Sequence, residues 1–127
     1  KAAMGKVFDS STGFTLPDKA VFSPDAAWVS LERISKLNED DKKKFAPVCA
    51  NFVIELKDIS DSINQIKSKM HKWIENGCEL AWLIIPEKQE VHIYRGNGSI
   101  EIIKGFHNKL SGENILPGFE FDLQILH

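Results

Sequence analysis

A chain of 127 residues with 43% apolar and 27% charged side chains has the makeup of one folded domain over residues 1–127 and argues against disorder. Its net charge of −2 excludes nucleic-acid binding by global attraction alone, so any such contact must use a local basic face. The longest apolar run, Leu80 to Ile85, is far too short to span a bilayer, no charged leader precedes an apolar stretch, and Cys49 and Cys78 belong to no CxxC pair, so the expectation is a cytoplasmic chain without membrane association whose two thiols stay reduced.

The chain opens with Gly5-Lys6-Val7-Phe8 and Gly13-Phe14-Thr15-Leu16 around the turn formers Asp9-Ser10-Ser11-Thr12, a pattern that predicts a hairpin. A third extended run, Ala20 to Phe22, follows Pro17-Asp18. Ser23-Pro24 then leads into the strand Asp25-Ala26-Ala27-Trp28-Val29, since a residue before proline is biased towards extended backbone. Ser30 caps a short helical turn with Leu31 and Ile34 on one side. From Asn38 to Pro47 the sequence is polar and lysine-rich and reads as an exposed loop.

Asn51 to Lys57 is a strand whose apolar residues are nearly continuous, as expected where both faces are covered. Asp58-Ile59-Ser60-Asp61 supplies a break and a candidate N-cap. The helix after it ends at Asn76-Gly77 and carries Ile63, Ile66, Met70, Trp73 and Ile74 on one face, with Met70 and Trp73 read as core. Leu80 to Ile85 is a second buried strand, stopped by Pro86. Strand, helix and strand make a βαβ crossover, so these two strands are expected to be parallel. Glu90 to Arg95 and Ser99 to Lys104 form a hairpin about Gly96-Asn97-Gly98, and Phe119 to Leu123 is a last short strand. The fold class is α/β (α+β): a mixed β-sheet with a βαβ crossover and one main helix.

Chemistry concentrates at Glu55 and Lys57. Two positions apart on a strand, they leave the same face, and charges among Val53, Ile54 and Leu56 need compensation. A salt bridge from Glu55 to a surface lysine would supply it. So would a divalent cation, to which Asp25 at the start of the preceding strand adds a second carboxylate. Magnesium takes one or two carboxylates and keeps several waters. Such an ion acidifies water and stabilises charge on a phosphate oxygen, and a nearby lysine adds to that stabilisation. No rival enzyme chemistry is visible. His71, His92, His107 and His127 lack zinc spacing, and Ser111-Gly112 is not a nucleophile elbow.

Ser23-Pro24-Asp25 on one strand and Glu55-Leu56-Lys57 on the next, followed by a helix and a parallel strand, resemble the PD-(D/E)XK nuclease superfamily. The order of Ser23 to Val29, Lys69-Met70, Gly77, Trp82-Leu83-Ile84, Pro86, Leu110 to Glu113 and Leu116 to Phe119 is similar to the restriction endonuclease family of the Uma type. That resemblance implies a restriction-endonuclease-like fold, a magnesium or manganese ion and DNA phosphodiester hydrolysis. It implies metal ligation by Asp25, Glu55 and the Leu56 carbonyl, and a catalytic lysine at Lys57 or at Lys69. Gln65, one turn before Lys69, would also face the site. The family's N-terminal helical segment, with a further acid, is expected to be missing from this chain.

Two other readings compete. A non-catalytic nucleic-acid-binding or protein-pairing module would keep the fold without metal affinity. A homodimer would pair exposed strands, with Val91 and Ile93 against Ile100 and Ile102 as the candidate surface. Lys42-Lys43-Lys44 and Lys67, Lys69 and Lys72 are the two basic clusters on which DNA contact would draw.

Overall fold

Phe52–Leu56 and Leu80–Ile85 are apolar enough to need cover on both faces, and they form the middle of the main sheet. The structure, a computed structural model, describes residues 4–38 and 47–126, so Lys42-Lys43-Lys44 and most of the polar loop around them lie outside the described residues. In chain order the strands are β1 (Gly5–Asp9), β2 (Phe14–Thr15), β3 (Val21–Phe22), β4 (Ala26–Ser30), β5 (Phe52–Leu56), β6 (Leu80–Ile85), β7 (Glu90–Arg95), β8 (Ile100–Lys104), β9 (Lys109–Ser111) and β10 (Glu120–Asp122). The helices are α1 (Leu31–Ser35) and α2 (Ile63–Glu75). Six strands form one sheet in the order β1-β4-β5-β6-β7-β8. Only β5 and β6 are parallel, joined by α2 as the crossover, and the other neighbours are antiparallel.

The opening hairpin does not form. β1 lies along β4, with Gly5 opposite Ser30, while β2 pairs with β3 in a separate two-stranded ribbon. The physical reason is the reach of the turns. Asp9 accepts from the Ser11 and Thr12 amides and redirects the chain out of the sheet. Leu16 to Ala20 then closes tightly through Lys19 at φ 77°, which favours the local ribbon. A side chain at Gly5 would come within 2.5 Å of the Val29 carbonyl oxygen, so the close approach of β1 to β4 needs glycine there.

Ser62, not the preceding four residues, caps α2. Its hydroxyl accepts from the Gln65 amide at 3.3 Å, whereas Asp58 and Asp61 are occupied in the turn before it. Ile66, Met70 and Trp73 are buried against the sheet, and Gly77 at φ 111° ends the helix.

Both sheet faces are covered. α2 and the β2–β3 ribbon pack with Val29, Val53, Ala81, Leu83 and Ile85 on one side. On the other, Phe106, Leu110 and Leu123 from the C-terminal segment cover Trp28, Phe52, Leu80 and Trp82. Val91 and Ile93 belong to this second core and are buried, whereas Ile100 and Ile102 are about half exposed. The β7–β8 register pairs Ile100 with Tyr94 and Ile102 with His92, so the two isoleucines lie on the opposite face from Val91 and Ile93. The four apolar residues therefore make no common pairing surface. No helix of the described residues is long and apolar enough to cross a membrane.

Candidate active site

β4 and β5 are antiparallel with Ala26 opposite Ile54, and one further step places Asp25 across from Glu55. The buried Pro24 fixes the chain just ahead of β4. Asp25 itself is exposed, and its Oδ2 accepts the Leu56 amide at 2.6 Å. That bond ties the start of β4 to the end of β5.

Glu55 projects towards α2, as Val53 does two residues earlier, and is only 4% exposed. Its Oε2 accepts from the Trp73 indole at 3.1 Å and pairs with the Lys69 ammonium at 3.2 Å. The salt bridge to a surface lysine that the sequence allowed is thus formed, and its partner is Lys69. Burial pushes the Glu55 carboxyl above its ordinary value, and the Asp25 charge adds to the rise, while Lys69 and the indole oppose it. The Lys69 ammonium also lies 5.2 Å from the centre of the Phe22 ring, a cation–π contact from the ribbon side.

Asp25, Glu55, Leu56, Gln65 and Lys69 line one open cavity of about 410 Å³. Lys57 lines an adjoining cleft with Asp25, Leu56 and Glu87 instead. It lies past the last residue of β5, with its amide bonded to the Ile84 carbonyl at 2.9 Å. Its ammonium donates to the Asp58 carbonyl at 3.1 Å and to Glu87 Oε2 at 2.6 Å. That contact holds the Glu87 carboxyl below its usual range. Of the two candidate lysines, Lys69 is the one beside Glu55.

Two contacts at the candidate site lie outside the sequence motifs. Glu87 follows Pro86 in a 3₁₀ turn and carries no motif. The core position of Trp73 leaves its indole N–H in need of an acceptor, a requirement that the sequence itself signals.

The donor set suits a hard divalent cation. Asp25 and Glu55 each commit one oxygen to the contacts above, and the cavity they share is open and oxygen-rich. Repulsion between the two carboxylates is what an ion between them would relieve. Among the described residues, no three His, Cys, Asp or Glu side chains converge as a metal cluster, so water and the Leu56 carbonyl would complete the shell.

A crystal structure titled as a "putative nuclease belonging to DUF820" from Anabaena variabilis ATCC 29413 is similar to this chain. The match has a TM-score of 0.77 and 16% identity, and covers 97% of this chain and 68% of that one. The likeness shows that the two share a nuclease-like fold, with a mixed sheet, a βαβ crossover and one main helix. No curated protein matches. The model of the Uma2 family, whose description reads "Putative restriction endonuclease", matches residues 1–124, and the chain belongs to that family.

Proposed function

We propose that this chain is a metal-dependent endonuclease that hydrolyses phosphodiester bonds of DNA, with Mg²⁺ or Mn²⁺ held by Asp25, Glu55 and the Leu56 carbonyl. The observation that carries the reading is the meeting of Asp25, Glu55 and Lys69 in one cavity, in a chain of this family. When bound, the ion supplies a more acidic water and charge stabilisation on a phosphate oxygen.

The protein's own groups divide the remaining work. Lys69 sets positive charge beside the carboxylates, where the phosphate oxygens gain negative charge as water attacks phosphorus and the bond to the departing oxygen breaks. Gln65 lines the same cavity and offers an amide to orient the attacking water. Lys57, buried in the adjoining cleft with its ammonium on Glu87 and the Asp58 carbonyl, takes a supporting part, holding the end of β5 beside the site.

Calorimetric titration of Mg²⁺ and Mn²⁺, followed by plasmid nicking, tests the reading. Wild type should bind and nick, and Asp25→Ala and Glu55→Ala should each lower nicking by at least about a hundredfold. Ion binding that persists in Glu55→Ala, or nicking in the presence of chelator, would refute it. One observation favours the second reading, a non-catalytic DNA-binding module: the Glu55 carboxylate already has Lys69 and the Trp73 indole as partners. Under that reading, wild type binds DNA without binding metal, and Glu55→Gln leaves DNA affinity intact.

A further inference from the structure

We infer that Trp73 is a positioning residue for the metal site, fastening one oxygen of Glu55 so that the other is presented to the cation. The inference rests on the reading of Asp25 and Glu55 as metal ligands. The Trp73 side chain is fully buried, and its Nε1 donates to Glu55 Oε2 at 3.1 Å. Its ring is fixed by Phe14, edge-on with centroids 6.0 Å apart, and by Phe22 at 5.5 Å. The indole therefore cannot follow if the carboxylate turns away, and a turn would leave a buried N–H without its acceptor.

Lys69 holds the same oxygen from the other side, at 3.2 Å, but its side chain is 29% exposed and can move into water. Trp73 is thus the fixed member of the pair. Oε1 takes part in neither contact, and Glu55 lines the cavity shared with Asp25. The direction in which Oε1 points is consequently set by α2 through Trp73, not by the strand that carries Glu55. Loss of a group that orients a metal ligand in this way costs about 10- to 100-fold in metal affinity.

The test uses the full chain labelled with ¹⁵N at its 3 tryptophans, titrated with Mg²⁺ by NMR and calorimetry. Trp73→Phe keeps an aromatic ring and removes the donor. Met70→Leu, equally buried one turn earlier on α2, reports packing alone. The Trp73 indole resonance, assigned by its loss in Trp73→Phe, should move on the calorimetric saturation curve. Trp73→Phe should weaken Mg²⁺ binding about tenfold, and Met70→Leu by less than about twofold. If Trp73→Phe fails to fold, the wild-type resonance is assigned instead from the proximity of the indole to the Phe14 and Phe22 rings, and its shift still decides. Magnesium binding with a stationary Trp73 resonance, or equal losses in the two variants, overturns the inference alone. A wild-type chain that binds no magnesium overturns it together with the proposed function.

Discussion

Glu55 is held in its position at a cost to the fold. Burial is the largest influence on its carboxyl and raises its pKa in the folded state, outweighing Lys69 and the Trp73 indole. Below the unfolded pKa both states are protonated and the penalty is absent. As pH climbs from there through the raised folded value, the unfolded chain releases the proton first and stability falls; above it, the penalty is constant. Glu55→Gln keeps an acceptor for Trp73 and removes the buried charge, so it should raise the melting temperature by a few degrees at pH 7. The gain should vanish near pH 4. Thermal melts of both proteins across pH 4–8 check this, and a neutral-pH loss of stability would mean that the ion pair with Lys69 outweighs desolvation. The acids of the site were legible because Asp25 and Glu55 head or end apolar strands, where a charge needs a reason. Which lysine reaches Glu55 was not legible, because strand alternation says nothing of a residue lying past the strand's end. The thiols show the same limit in a milder form. Cys49 and Cys78 are both free, and burial raises each pKa, that of Cys49 to about 11. Spacing had already excluded a CxxC pair, but only packing determines how far their acidity is suppressed.

At the scale of elements, α2 connects the fold to the site, since it carries Gln65, Lys69 and Trp73 and closes the β5–β6 crossover. Its first turn is held by the Ser62 hydroxyl. Ser62→Ala should cost about 1 kcal/mol, seen as a lower urea midpoint with an unchanged slope. Because the cap lies beside the cavity, its loss should also weaken Mg²⁺ binding slightly, through fraying of the turn that bears Gln65. A cost near zero would show that the Asp58–Asp61 turn holds the helix start by itself. The crossover was readable from sequence because two strongly apolar runs flank a 3.6-residue periodicity. The β1 pairing was not, since a turn-forming cluster marks where a chain bends and not which strand it meets. β9 gave even less: Lys109-Leu110-Ser111 holds a single apolar residue, and it becomes a strand only because β10 lies beside it and Leu110 fills the second core.

Over the whole molecule, the cations nearest the carboxylates are already paired among the described residues. Lys57 is held by Glu87, Lys69 by Glu55, Lys72 by Asp18, and Arg95 by Glu101 and Glu113. With a net charge of −2, the chain has little field to draw a polyanion, and Asp25 and Glu55 repel phosphate at the cavity itself. A bound divalent ion reverses the sign of the charge at that point. DNA affinity should therefore depend on the ion: weak in chelator, stronger in Mg²⁺ at matched ionic strength. The salt dependence in Mg²⁺ should be shallow, with a log–log slope of about −2 to −3, because Lys57 and Lys69, the lysines nearest the cavity, are committed to carboxylates. Glu55→Gln should bind DNA better than wild type in chelator, having lost one repelling charge, and should gain nothing from Mg²⁺. Fluorescence anisotropy of a labelled duplex at several salt concentrations reads all of these quantities. Tight chelator-resistant binding with a slope near −6 would place recognition on a basic surface away from the carboxylates, and the cavity would then be a site of chemistry without being the source of affinity.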